Sequence, residues 1–189
     1  MKQIVKNTIV LLVITLVAGS LLAATYAITK NPIKQAEEQA EKEAFLAVFP
    51  EASEFQDAEG PFHDTDSLTV GSVKRAKGTN GEELGVAVKV TTSAGYGGDI
   101  AMVIGIKTDG TVSGLKILSA SNESPGLGAN CLKPEFQEQY AGKKTGLTYS
   151  KTGAEDNEID AISGATITTR AVTSAVAAVL DMYEGGADQ

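Results

Sequence analysis

The stretch from Asp160 to Val172, DAISGATITTRAV, sets small residues and hydroxyls immediately ahead of what reads as a helix. The first N–H groups of a helix lack intrahelical acceptors, and the helix dipole adds partial positive charge there. Such a start is a ready anion site. Gly164 and Ala165 have little side chain to obstruct a phosphate, and Thr166 offers a hydroxyl at the same spot. A hydroxyl placed among free amides can also be esterified to the phosphate they hold. Capping is the plainer alternative, with Ser163, Thr166 or Thr168 satisfying helix amides. The residues alone leave both readings open.

Two glycine-rich stretches could serve the same site. SAGYGGDI carries Gly95, Tyr96, Gly97 and Gly98; SNESPGLGAN carries Glu123, Ser124, Pro125, Gly126, Leu127 and Gly128. Glycine admits positive φ and lets backbone approach a ligand closely, and ordinary tight turns use it too. No Ser/His/Asp, Cys/His or clustered metal-ligand pattern suggests an independent catalyst. The single cysteine, Cys131, excludes an internal disulfide framework and reads as a small buried hydrophobe. The single histidine, His63, without cysteine partners, speaks against structural zinc.

These segments must be positioned by a folded body. ELGVAVKVTT alternates as a strand, and GGDIAMVIGIKTDGTVSGLKILSAS reads as two strands joined at Asp109-Gly110, a strong hairpin signal. Ile100, Met102, Ile104 and Ile106 share one face; Val112, Leu115 and Ile117 follow less regularly. KPEFQEQYAG reads as a short helix with Pro134 near its start and Gly142 as its stop. From Thr168 to Tyr183, Val172, Ala175, Val176, Val179, Leu180 and Tyr183 fall on one helical face. GGADQ reads as a frayed tail. The expected class is α+β, an antiparallel sheet with packed helices, preceded by one transmembrane helix.

No charged residue occurs from Asn7 to Thr29, a run of 23. As a helix it would measure about 34 Å at ~1.5 Å per residue, against a hydrocarbon core of about 30 Å. TYA, ending at Ala27, resembles a signal-peptide cleavage site, but the apolar run exceeds the usual ~7–15 residues, so an uncleaved anchor is expected. Lys2 and Lys6 in the short tail favour a cytoplasmic N-terminus and an extracytoplasmic body at the plasma membrane. Asn31 and Pro32 then read as N-cap and first turn of a connecting helix ending at Pro50. The expected organisation is a tail (1–6), a transmembrane helix (7–29), a connecting helix (30–50), an extracytoplasmic domain (51–185) and a terminal tail (186–189). Beyond Lys30 stand 13 basic and 24 acidic residues, a balance of −11 that excludes a nucleic-acid partner.

DAISGAT resembles the attachment motif of the covalent FMN-binding domain family, in which the final threonine bears FMN through a phosphoester bond made by a flavin transferase from FAD. GYGGDIAMVIGIKTDGTVSGLKI, NESPGLG and FQEQYAGK are similar to the same family in the same order. The chain's length and N-terminal helix resemble the G subunits of Rnf-type ion-translocating ferredoxin:NAD oxidoreductase complexes. The C subunit of the sodium-translocating NADH:quinone oxidoreductase is the related alternative. Two departures stand out: Ser121 replaces a histidine common in the family, and Ser124 replaces a threonine while keeping the hydroxyl.

The resemblance implies an electron-carrying flavoprotein subunit, not an independent catalyst, coupled to ion translocation by other membrane and redox subunits. It implies FMN on Thr166, with Ser163, Gly164 and Ala165 at its phosphate, and Tyr96, Gly97, Gly126 and Leu127 around the ring. Glu123 or Ser124 would bond the ring's polar edge. Asp160 would serve the transferase or hold magnesium during attachment, or else cap its loop. Covalent attachment suits an extracytoplasmic site, where a dissociated cofactor is diluted away. A noncovalent ligand-binding or structural domain is the reading of another class.

Overall fold

A computed structural model of the chain describes residues 1–187; Asp188 and Gln189, the end of the expected tail, lie outside the described residues. The chain forms two compact units, one through Ala40 and one from Glu41 onward.

In the first unit every residue is exposed, and the helix that begins there, α1 (Lys2–Val48), is long and apolar enough to cross a membrane. Its hydroxyls are already satisfied. Thr8, Thr15, Ser20, Thr25 and Thr29 each donate to the carbonyl four residues back, at 2.8–3.1 Å. A hydrocarbon environment demands such internal pairing. The helix start expected at Asn31 is not a start, because Pro32 lies inside α1. Ala, Glu, Gln and Lys on its far side have enough helix propensity to carry the helix on.

The second unit is built on a five-stranded antiparallel sheet in the order β1 (Glu54–Asp57), β2 (Leu68–Lys77), β3 (Glu83–Thr92), β4 (Ile100–Lys107), β5 (Val112–Ser119). β4 and β5 form the hairpin expected at Asp109-Gly110, and Gly110 has φ +80°, as that turn requires. The uneven pattern of β5 has a cause. Its register against β4 shifts between Gly105 and Ile106 and again between Ala101 and Met102, so two extra residues break the alternation.

The two sheet faces are covered differently. On one, Val88, Val90, Ile100, Met102, Ile104 and Ile106 pack with Val172, Val176, Val179 and Leu180 of α3 (Thr166–Ala187). On the other, Ala76, Ala87 and Val103 pack with Ala44, Phe45, Val48 and Phe49 around the end of α1. Small residues make this second contact close. A Cβ on Gly105 would lie 3.0 Å from both Val48 and Phe49 side chains, and one on Gly114 3.2 Å from the Val48 backbone.

After β5, a 3₁₀ turn (Gly128–Leu132) leads to α2 (Pro134–Gln137), and a further turn ends near Gly142, φ +79°. Buried Gln137 ties this segment to β5, donating to the Leu132 carbonyl at 2.7 Å and accepting from the Ile117 amide at 3.1 Å. Tyr140 stacks edge-on against Phe136 and shares a 2.9 Å hydrogen bond with Thr173 of α3. A short parallel pair, β6 (Thr148–Ser150) with β7 (Glu158–Asp160), was not foreseen; it delivers the chain to α3. α3 itself runs through Ala187, so Gly185 and Gly186 are helical instead of frayed.

Candidate functional site

β7 ends at Asp160, and the turn that follows must reverse into α3 within five residues. Gly164 takes φ +74°, a value an L side chain resists. Thr169 then locks the turn, since its hydroxyl accepts from the Ile162 amide at 3.0 Å and donates to the Ala165 carbonyl at 3.1 Å. Thr168 is committed as well, donating to Glu123 at 2.6 Å. Thr166 is not. Among the described residues no hydrogen bond engages its hydroxyl, and the amides of Thr166, Ile167 and Thr168 have no protein acceptor. Thr169 thus braces the turn ahead of the helix, no side chain caps the first helix amides among the described residues, and Thr166 is left over.

A cavity of about 370 Å³ opens at this helix start. That is the size of a small-molecule site, for which about 300–1,000 Å³ is usual. Gly164, Ala165 and Thr166 line it together with Ile167 and Thr168; Tyr96 comes from the β3–β4 loop, and Glu123, Ser124, Leu127 and Gly128 from the segment after β5. Tyr96 and Leu127 are both exposed, at 67% and 45%, and present apolar surface beside the opening.

The remaining expected residues do not line this cavity. Ser163 and Asp160 are exposed. Asp160 accepts from the Ala154 amide at 2.7 Å, while its own amide donates to Gln139 at 2.7 Å, which is loop work. Gly126 forms a turn at φ +78°, its carbonyl bonded by Asn130 at 2.8 Å. Gly97 is exposed on the loop beside the cavity, its amide donating to Glu123 at 3.1 Å.

Glu123 differs from expectation. It is 5% exposed, and each oxygen already has a protein donor: Oε1 the Gly97 amide, Oε2 the Thr168 hydroxyl. This carboxylate explains part of the glycine density. A Cβ on Gly128 would lie 1.9 Å from Oε2, and one on Gly95 2.9 Å from Oε1. Neither glycine has positive φ, so the requirement is space. Cys131 is fully buried; burial, with the nearby Glu123 charge, pushes its thiol up to about 11, leaving it protonated and inert at neutral pH. Gly128, Ile167 and Thr168 complete the wall without having been marked as ligand residues. Chain adjacency places Ile167 and Thr168 in the same first turn as Thr166, a signal that was available.

The donor set fits an organic phosphate attached to a flat apolar group. Unclaimed amides suit an anion, a free hydroxyl stands beside them, and apolar side chains flank the opening.

Comparison with known proteins agrees with this geometry. Residues 95–181, from the first glycine loop through most of α3, match the FMN-binding domain family, and residues 1–48, ending where α1 ends, match the RnfG N-terminal region. The G subunit of the Na(+)-translocating ferredoxin:NAD(+) oxidoreductase complex of Acetobacterium woodii is 34% identical, covering 97% of this chain and 93% of its own. The chain belongs to the RnfG family.

Another RnfG relative, from the ion-translocating oxidoreductase complex of Methanosarcina acetivorans, is 34% identical over 95% of this chain and 94% of its own. The G subunit of the proton-translocating ferredoxin:NAD(+) oxidoreductase complex of Clostridium ljungdahlii is 33% identical over 85% and 80%. G subunits of both a sodium and a proton complex thus share about a third of their residues with this chain. Similarity at this level does not sort the ion.

Proposed function

We propose that this chain is the FMN-bearing subunit of an Rnf-type complex, relaying electrons through FMN esterified to Thr166 on the extracytoplasmic side of the membrane. Membership of the RnfG family and the FMN-binding domain match support the flavin and the complex. The single observation carrying the attachment point is the contrast among three neighbouring threonines. Thr168 and Thr169 are engaged in protein hydrogen bonds, while Thr166 lines the cavity with a free hydroxyl beside three unclaimed amides.

In maturation, a flavin transferase would bring FAD. The Thr166 oxygen would bond to the FMN phosphorus as the bond from that phosphorus to the bridging oxygen breaks, with AMP as the leaving group and the threonine proton passing to solvent. Thereafter the Thr166–Thr168 amides and the α3 dipole hold the phosphate charge. Tyr96 and Leu127 shield the ring from water, and the glycine loops give it room. FMN, once bound, supplies one- and two-electron chemistry, and the protein orients and tunes it. Lys2 and Lys6 ahead of the span support the proposed sidedness.

Intact-mass measurement of the chain from its native membrane tests the attachment. The wild type should exceed its amino-acid mass by one FMN minus water, and Thr166→Ala should lack the increment and the flavin fluorescence on a denaturing gel. A wild type at its bare amino-acid mass, or an FMN increment retained by Thr166→Ala, would refute the ester.

A further inference from the structure

Glu123 sits under the cavity with 5% exposure, and no cation pairs with it among the described residues. A carboxylate removed from water without a cation is costly unless hydrogen bonds hold it, and here only two neutral donors do so. The two donors belong to segments far apart in sequence. Gly97 lies 26 residues before Glu123, in the loop that presents Tyr96, and Thr168 lies 45 residues after it, in the turn that presents Thr166. One side chain therefore fixes the β3–β4 loop against the start of α3. At Gly128 that carboxylate leaves no room for a Cβ, which would lie 1.9 Å from Oε2; at Gly95 the Gly98 carbonyl, at 2.2 Å, is the tighter obstacle and the carboxylate the second.

We infer that Glu123 is a positioning residue of the flavin site: it clasps the Tyr96 loop to the Thr166 turn, and its negative charge makes the flavin held there harder to reduce. Both parts rest on the reading of Thr166 as the flavin-bearing residue, but the clasp itself exists without cofactor. A fixed charge in a partly water-excluded site acts strongly on any charge that develops beside it. Two substitutions separate the two parts. Glu123→Gln keeps an acceptor for the Gly97 amide and can donate to the Thr168 hydroxyl oxygen, so it removes charge and spares the clasp. Thr168→Val removes one strand of the clasp and spares the charge.

The test uses the full chain produced with and without a flavin transferase. Without it, amide hydrogen exchange at Gly97 should accelerate in Glu123→Ala and Thr168→Val and stay slow in Glu123→Gln. With it, covalent loading followed by intact mass should slow in Glu123→Ala and Thr168→Val, by up to the ~100-fold that misplacing a reacting group costs. Glu123→Gln should load as the wild type does, melt at the same temperature, and show a higher flavin midpoint potential by spectroelectrochemical titration. Unchanged Gly97 exchange in Thr168→Val overturns the clasp, and an unchanged potential in Glu123→Gln overturns the role of the charge. Should Glu123→Ala fail to fold, the other two variants decide both parts. A wild type without bound flavin would refute the Thr166 ester and with it the tuning role, while the exchange result would still judge the clasp.

Discussion

Where the end of α1 packs on the sheet, Glu41 is a quarter exposed and receives an ammonium from Lys89 and a hydroxyl from Ser72 at 2.6 Å. At the cavity beside α3, Glu123 is more deeply buried and receives only an amide and a hydroxyl. Burial pushes the Glu41 carboxyl up, but its hydrogen bonds from Lys89 and Ser72 and the charges of Lys89 and Lys74 outweigh that and hold it below the usual range. One carboxylate is neutralised where nothing but packing is at stake. The other keeps a local charge where chemistry is proposed. Departures from the most stable arrangement gather at functional sites, and this pair fits that division.

The largest effect that would sharpen the contrast lies on the α1 side. Phe45 is 4% exposed and packs on Phe55. Phe45→Ala should cost about 3–5 kcal/mol of stability, read by denaturant unfolding, with loading per folded molecule unchanged. A variant that keeps its stability and loses flavin would erase the distinction between the two sides. Gly128→Ala acts at the cavity, driving a methyl to 1.9 Å from Glu123 Oε2. Its expected stability loss is smaller, about 1–3 kcal/mol as for overpacking, yet it should impair flavin loading out of proportion to that loss.

Smallest is Lys89→Met, which should cost under about 1 kcal/mol at neutral pH, because the pair with Glu41 is partly exposed. The sign follows from the lowered Glu41 value. Its stabilisation is present above the unfolded carboxyl range and is lost as pH falls through the folded value. The wild-type advantage over Lys89→Met in thermal melts should therefore shrink in acid. An advantage that grows instead would contradict the pairing.

Legibility in the sequence tracked how local each cause was. β3 falls on Glu83–Thr92, the span its alternation marks, and the β4–β5 hairpin turns where Asp109-Gly110 says it should. β2 was not individually marked: Lys74, Arg75 and Lys77 crowd its end, Gly71 interrupts it, and its register against β3 shifts twice. β6 and β7 have three residues each, too few for a period to register. The cavity at the start of α3 was legible in outline because the motif that begins the helix is contiguous. The role of Glu123 was not, since its partners come from two distant segments and only the folded chain brings them together. The steric need for glycine at position 128 shares that origin, since the Glu123 carboxylate and the Thr168 hydroxyl both crowd it.

The serine and threonine side chains of the 7–29 helix turn back onto their own backbone. Those hydroxyl donors are therefore spent within the helix, and small residues such as Gly19 and Ala23 leave room for close approach by shape. An anchor of that kind is interchangeable in principle. A foreign apolar helix of equal length would tether the redox body to the bilayer, and what it would forfeit is the choice of neighbours.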